Sequence, residues 1–385
     1  MITVLLWAVA ALIAIPFLIY TIEVLVGLPA PSAGPLPSGD ARAAVLIPAH
    51  DEQAGIGRTV AAIAAVAPAG TRILVVADNC SDATAEEARR AGAEAIERHD
   101  PVRRGKGYAL SFGRDHLSAS PPDVVIVIDA DCTITRGTIE RLAARAHASG
   151  QPVQCVNLLE DDLAARPLVQ ISSFAMLVKN LIRARGVYRL GGATLLTGTG
   201  MAFPWSIYRD AALATGNVVE DMELGIALTR AGHRVMLEPG GRVSSPSAHV
   251  DDLREQRRRW EMGFIQSARR WALPTLLRGI AAGSRAQVAL GLHMLVPPLA
   301  TLFMSGAIVV VILALAALMG VTAQPAITLA LLIALAGVMT ILGWLREGRG
   351  TLTGAALMSV PGYLLWKVPM YLGGGPKQWV RTRRR

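Results

Sequence analysis

The sequence predicts an α/β domain on a mainly parallel sheet, carried between membrane-spanning helices. Three observations carry that expectation. The 385-residue chain is 52% hydrophobic, and its mean hydropathy of +0.42 is high for a soluble domain. Long apolar runs lie towards its two ends. Between them, short runs of branched apolar residues alternate with helix-forming stretches, and such unbroken runs are the mark of strands covered on both faces.

Ile2 to Leu28 is apolar apart from Thr3, Pro16, Thr21 and Glu23. It is long enough to span a bilayer. With no basic residues ahead of it, it reads as an uncleaved anchor over 1–28 rather than as a cleaved leader. Residues 29–42, rich in Pro, Ser and Gly, read as a linker. The central domain is expected over 43–263. Ala43 to Ile47 is its first strand and stops at Pro48; Arg72 to Val76 is the second and Val124 to Ile128 the third. Gly57 to Ala67, Ala83 to Ala91, Gly107 to Leu117, Gly137 to Ala148 and Met222 to Ala231 have helical composition. Short connections favour right-handed βαβ units.

Residues 264–298 are expected to be amphipathic helices lying on the membrane surface, and 299–345 two spans joined by the uncharged turn Val321 to Pro325. Arg346 and Arg349 follow the second of these. The positive-inside rule then puts the central domain on the cytosolic face of the inner (plasma) membrane. Residues 346–385 contain Pro361, Gly362, Lys367 and Pro369 and end in Arg383, Arg384 and Arg385. They read as an interfacial or re-entrant segment with a basic tail.

The formal net charge is +9. Much of the excess flanks apolar segments, at Arg254, Arg257, Arg258, Arg259, Arg269, Arg270 and Arg278 and at the C-terminus. That placement points to a membrane face with anionic lipid and away from nucleic acid. The cysteines are Cys80, Cys132 and Cys155, without a CxxC pair; this argues against a disulfide framework or zinc site and suits a reducing compartment.

Open α/β sheets bind ligands beyond the carboxyl ends of their strands. Pro48-Ala-His-Asp-Glu52 follows the first strand, Ala77-Asp-Asn-Cys-Ser-Asp82 the second and Asp129-Ala-Asp131 the third. Carboxylates at three strand ends suggest a polar ligand and a cation on one rim. The pair Asp129 and Asp131 suits a hard divalent ion that also takes phosphate oxygens; its bland alternative is a cap for the following helix. Asp82 reads as a cap for the helix beginning near Ala83, with Glu86 supporting the first turn, and Asp78 as a ligand contact. Arg103 to Gly107 is a basic, Gly-bearing loop ahead of a helix. Thr197 to Gly200 is a flexible loop, Glu220-Asp221 opens a helix, and Gln256 to Trp260 lies in a basic amphipathic stretch.

Taken in order, these elements resemble the membrane-bound family 2 glycosyltransferases, the branch that includes cellulose, hyaluronan and poly-N-acetylglucosamine synthases. The markers are Ile47 to Glu52, Val75 to Thr84, Gly105-Lys106, Asp129-Ala-Asp131, Gly198 to Gly200, Glu220-Asp221 and Gln256-x-x-Arg259-Trp260, between about Ala43 and Gly263. The resemblance implies a GT-A fold flanked by transmembrane and interfacial helices. It implies that Pro48, His50, Glu52 and Asp78 line a nucleotide pocket and that Lys106 and Asp129 help hold the nucleotide or its ribose. Asp131 would bind Mg²⁺ or Mn²⁺ with the diphosphate, and Asp221 would be the general base. Gln256, Arg259 and Trp260 would close over the donor and the acceptor sugar.

The implied activity is inverting transfer from a nucleotide-diphosphate sugar, with a UDP-sugar as the expected donor, to a membrane-associated lipid or saccharide acceptor. The alternative is a processive polysaccharide synthase, alone, as a homo-oligomer or with an export partner. His249, seven residues before Gln256, is a further metal-ligand candidate beside a plain structural role. Two departures from the family pattern touch the donor: Ala77 stands where a second acidic residue is common, and Val219 where the acidic motif usually has Thr.

Overall fold

The structure is a computed structural model. It describes residues 1–30, 41–160, 162–217, 219–246 and 250–372, so most of the expected linker, His249 and the basic tail lie outside the described residues. The elements in chain order are α1 (Ile2–Gly27), β1 (Ala43–Ala49), α2 (Ile56–Val66), β2 (Arg72–Asp78), α3 (Thr84–Arg90), β3 (Glu94–Arg98), α4 (Lys106–Leu117), β4 (Val124–Val127), β5 (Thr133–Ile134), α5 (Thr138–Ser149) and β6 (Val153–Leu159). They continue with α6 (Pro167–Leu177), a π-helical stretch Val178–Arg183, α7 (Ala184–Arg189), β7 (Met201–Pro204), α8 (Trp205–Tyr208), α9 (Glu220–Arg230) and β8 (Met236–Ser245). The last are α10 (Val250–Ala281), α11 (Arg285–Met294), α12 (Leu299–Leu318), α13 (Gln324–Gly343), the π-helical turn Trp344–Gly348, α14 (Gly354–Leu357) and α15 (Val360–Leu372).

The chain divides into two compact units. The described residues of the sheet unit fall within Pro31–Glu160 and Ala193–Asp252, and those of the helical unit within Met1–Ala30, Asp161–Gly192 and Leu253–Pro376. The sheet unit holds one eight-stranded sheet in the order β3-β2-β1-β4-β7-β6-β8-β5. Strands β3, β2, β1 and β4 are parallel; β7 is antiparallel to both β4 and β6. The three predicted strands are therefore the parallel half, and the sheet as a whole is mixed.

Val45, Ile47 and Ile126 are fully buried in one cluster with Ile56, Val60 and Ile63 of α2 and Ile139 and Leu142 of α5. On α4, Gly113 leaves room for Leu46 and Val76, which a Cβ there would meet at 2.5 and 3.0 Å. Each buried aliphatic side chain contributes roughly 1.5–3 kcal/mol. The apolar runs are continuous because these central strands have no wet face.

The helical unit contains three helices long and apolar enough to cross a membrane, Ile2–Gly27, Leu299–Leu318 and Gln324–Gly348. Ala10 packs with Leu313, Ala326 and Leu329, and Phe17 meets Phe303 edge-on at 5.5 Å. Glu23, the acidic interruption in the first apolar run, is buried. Arg183 Nε donates to its carboxylate at 2.7 Å and the His293 Nδ1 to the other oxygen at 2.9 Å. A charge within an apolar helix is tolerated when it is paired on the protein side in this way.

Just beyond it, backbones meet. A Cβ on Gly186 would lie 1.9 Å from the Glu23 carbonyl oxygen, and one on Gly27 1.9 Å from that of Ile182. Only small residues allow such an approach. Gly186→Ala is expected to cost about 3 kcal/mol, the upper end for overpacking, because backbone rather than a mobile side chain must give way. The check is the thermal unfolding midpoint of the purified protein in detergent; an unchanged midpoint would refute the close crossing.

Candidate active site

The carboxyl ends of β1, β2 and β4 are neighbours, because the sheet runs β2-β1-β4. Pro48 is the penultimate residue of β1, in register with Val76. Immediately after it, the His50 Nδ1 meets the Asp78 carbonyl oxygen at 2.7 Å. The Asp51 carboxylate accepts from the Ser81 N–H at 2.6 Å, and the Glu52 N–H donates to Thr84 Oγ1 at 2.8 Å. The loops after β1 and β2 are thus tied together. Asp51 and Asn79 have φ of 52° and 53°, the left-handed region, and are the non-glycine residues with positive φ among those described. Backbone strain of this kind persists where the surroundings over-determine it, commonly at ligand sites.

Asp78 is buried, and its Oδ1 receives Arg98 Nη1 at 2.6 Å. Sequence reasoning missed Arg98, which ends the short edge strand β3; Glu94-Ala-Ile-Glu-Arg98 has no two-residue alternation that would mark a strand. Asp82 is not the cap itself: the N-cap of α3 is Ala83, without a side-chain cap bond, and Asp82 lies one residue before it, accepting from the Thr84 N–H at 3.0 Å. Its other oxygen takes the Gln53 N–H at 3.1 Å.

A second cluster forms beyond β4. Lys106, the first residue of α4, places its ammonium on Asp129 Oδ1 and donates to the Gly198 carbonyl at 2.6 Å. The Asp129 N–H donates to Thr199 Oγ1 at 3.1 Å. Gly198, at φ +86°, leaves space that a Cβ would fill to within 3.2 Å of Asp221 Oδ2 and 3.4 Å of Lys106 Nζ. Asp129, Lys106, the 197–200 loop and Asp221 are thereby brought together. Burial opposes the Lys106 charge, but Asp129, Glu220 and Asp221 outweigh it and hold the ammonium above its ordinary value.

Glu220 was not among the predicted site residues. Removal from water, and then the neighbouring Asp221 charge, push its carboxyl up to about 8. A folded-state value raised above the ordinary 4.5 contributes stability that is fully present below that value. It is lost as pH rises through about 8, because the folded state holds a proton the unfolded state has released. Unfolding midpoints should fall across this window, and Glu220→Gln should remove part of the fall. Identical pH slopes for the two proteins would contradict the shift.

The donor set beside this cluster fits a hard cation. Ligand atoms of Asp129, Asp131 and Cys132 lie within 4.8 Å of one another. Burial, and then the Asp129 charge, push the Cys132 thiol up to about 12, so it is a neutral thiol rather than a thiolate ligand. Lys106 already engages Asp129. What remains is carboxylate oxygen centred on Asp131, the chemistry of Mg²⁺ or Mn²⁺ and not of a thiolate-bound zinc.

Gln256, Arg259 and Trp260 fall in the helical unit, on α10, with Gln256 and Arg259 buried. All three cysteines are free thiols.

The family model described as glycosyltransferase like family 2 matches residues 41–263, more than half of the chain. An uncharacterized glycosyltransferase of Mycobacterium tuberculosis (strain ATCC 25618 / H37Rv) is 36% identical over 107 residues. That stretch is 28% of this chain and 44% of the relative, so the likeness spans less than half of the relative's length. A protein of the same description from Mycobacterium bovis gives the same values. Among solved structures, a mannosyltransferase from Pyrobaculum calidifontis in complex with GDP-mannose and Mn²⁺ is similar in fold. Its TM-score is 0.54 at 18% identity, covering 89% of this chain and 100% of that one. The mixed sheet and its helices have the GT-A fold, and the chain belongs to the glycosyltransferase family 2-like family.

Proposed function

We propose that this protein is an inverting glycosyltransferase that moves one sugar from a nucleotide-diphosphate donor, a UDP-sugar, to a membrane-associated lipid or saccharide acceptor. The observation that carries the proposal is the cluster of Lys106, Asp129, Gly198 and Asp221, with Asp131 beside Asp129. Pro48, His50, Glu52 and Asp78 are assigned to the nucleotide side. A Mg²⁺ or Mn²⁺ ion at Asp131 would supply Lewis-acid charge to the departing diphosphate.

Lys106 fixes the Asp129 carboxylate and the 197–200 loop. Asp221 accepts the proton of the attacking acceptor hydroxyl. With one base and no second carboxylate assigned as nucleophile, displacement is direct, and an α-linked donor gives a β-linkage. Gln256, Arg259 and Trp260 keep the donor and acceptor roles of the family motif, Arg259 stabilising the charge that develops on the leaving group. The apolar helices support residence in the inner membrane. Positive charge after the last of them supports a cytosolic central domain.

A processive synthase is the second reading. Three candidate spans among the described residues are few for a channel built by a single chain. This favours single addition, and a polymer would call for a homo-oligomer or an export partner. The deciding experiment supplies full-length protein in nanodiscs with a panel of UDP- and GDP-sugars and Mg²⁺ or Mn²⁺. The expected result is nucleoside diphosphate release with one sugar on the acceptor. A polymeric product would replace the first reading by the second, and turnover of no donor would overturn both.

A further inference from the structure

The loops after β1 and β2 carry a second set of metal-ligand side chains, apart from the Asp131 cluster. His50, Asp51 and Cys80 bring an imidazole nitrogen, a carboxylate oxygen and a thiol sulfur within 4.8 Å of one another. His50 Nε2 lies 3.8 Å from Asp51 Oδ2, and these side chains are 35% and 25% exposed, so an ion can reach them from solvent. Cys80 is half-buried, whereas Cys132 and Cys155 are buried. A tetrahedral zinc ion, with Zn–S about 2.3 Å and Zn–N or Zn–O about 2.0–2.1 Å, needs ligand atoms roughly 3.3–3.6 Å apart. The His50–Asp51 spacing is within about 0.5 Å of that, which side-chain rotation supplies.

The surrounding hydrogen bonds orient all three groups. The Asp78 carbonyl can only accept, so its 2.7 Å contact places the His50 proton on Nδ1 and makes Nε2 the basic nitrogen. A histidine ligand is commonly held in this way, one ring nitrogen donating to a carbonyl while the other faces the metal. Asp51 Oδ1 accepts from the Ser81 N–H at 2.6 Å and from Ser81 Oγ at 3.2 Å, while Oδ2 is the oxygen turned towards His50. The Asp51 N–H donates to Cys80 Sγ at 3.3 Å, a contact that would also serve a thiolate. Burial raises the Cys80 thiol above its ordinary value, and that N–H lowers it in part. A bound ion displaces the thiol proton to the buffer. No CxxC pair marks this cluster in the sequence, because its members come from two different strand ends.

We propose that His50 Nε2, the Asp51 carboxylate and Cys80 Sγ form a second metal site, for a thiophilic divalent ion of the Zn²⁺ type with water in the fourth position. Mixed nitrogen, oxygen and sulfur donors select against Mg²⁺, so this site and the one at Asp131 take different ions. The site stands on these three side chains alone. Its consequence rests on the reading of His50 as part of the nucleotide pocket: a bound ion takes that side chain and competes with the nucleotide.

The test uses Co²⁺ as a spectroscopic substitute for Zn²⁺ and needs no turnover. Full-length protein in detergent, stripped with EDTA and freed of it, is titrated with Co²⁺. A sulfur-to-cobalt charge-transfer band in the near ultraviolet is expected, and Zn²⁺ should displace it. Cys80→Ser should remove the band and weaken Zn²⁺ binding at least about 100-fold, since even the hydrogen-bond partners of metal ligands contribute about 10- to 100-fold. Asp131→Ala should keep the band. With Zn²⁺ at about ten times its Kd, the apparent affinity for UDP with Mg²⁺ should fall about 10-fold in wild type and stay unchanged in Cys80→Ser.

A wild type without the charge-transfer band overturns the proposal, as does a band that survives Cys80→Ser or disappears in Asp131→Ala. If Cys80→Ser does not fold, a Co²⁺ affinity unchanged in His50→Gln overturns it. UDP affinity indifferent to Zn²⁺ in a wild type that shows the band would refute the competition. Failure of the wild type to bind UDP, with the Cys80-dependent band intact, would count against the donor assignment alone and leave the ion site standing.

Discussion

Asp221→Asn is expected to lower kcat about 10³-fold, the middle of the range for loss of a positioned general base. Asn is nearly isosteric and keeps a carbonyl oxygen where Asp221 lies close to Gly198 and Lys106, so the 197–200 loop has no reason to move. It cannot take a proton at neutral pH. Nucleotide affinity should therefore stay within a small factor of wild type, and kcat and kcat/KM should fall together. Near-normal turnover with unchanged donor affinity would remove Asp221 from the chemistry. Glu220 is the control. Its carboxyl holds a proton up to about 8, so it is a poor base at neutral pH despite being adjacent in sequence. Glu220→Gln should accordingly cost far less than Asp221→Asn.

Asp131→Ala is expected to abolish the part of nucleotide-diphosphate affinity that depends on a divalent ion. Asp129 does not replace it, because its carboxylate is engaged by the Lys106 ammonium. Cys132 does not either, because its thiol stays protonated. A hard ion that loses the Asp131 carboxylate is left with waters and the ligand's own phosphates, which Mg²⁺ does not convert into tight protein binding. Isothermal titration of UDP with Mg²⁺, and again with EDTA, should show wild type falling about 10-fold or more on chelation, the effect of losing a charged contact to phosphate. The variant should give the weak value in both. Wild-type binding indifferent to EDTA would discard the cation.

How legible this was depended on where the fold puts its apolar residues. Strands β1, β2 and β4 lie in the middle of a doubly covered sheet, so they read as unbroken branched runs ending at Pro48, Asp78 and Asp129. The carboxylates of the rim were visible because they follow those runs immediately. Strands β3 and β5 lie at the sheet edges, and β8 carries Pro239, Gly240 and Gly241. Those three residues are weak strand formers. Pairing holds β8 as a strand: it runs parallel to β6 with a register shift between Cys155 and Val156. Nothing local in the sequence encodes that pairing.

The site divides in the same way. Lys106 and Asp129 were separately suspect, but their direct ion pair is a product of the fold. Arg98 on Asp78 is a contact that no motif marks, and the Glu220-Asp221 motif does not show that burial raises the Glu220 carboxyl. Glu23 is the counterpart in the helical unit. A carboxylate in an apolar run can be read from the sequence, whereas Arg183 and His293, which neutralise it, lie 160 and 270 residues away.

The central claim is direct displacement at a single base. Its most direct test is the anomeric configuration of the first linkage made by the purified protein, read from the proton coupling constant of the product's anomeric carbon position by NMR. From an α-linked nucleotide sugar the expected product is β-linked. An α-linked product would contradict it, because a single backside displacement by the acceptor hydroxyl inverts the anomeric carbon and cannot retain its configuration.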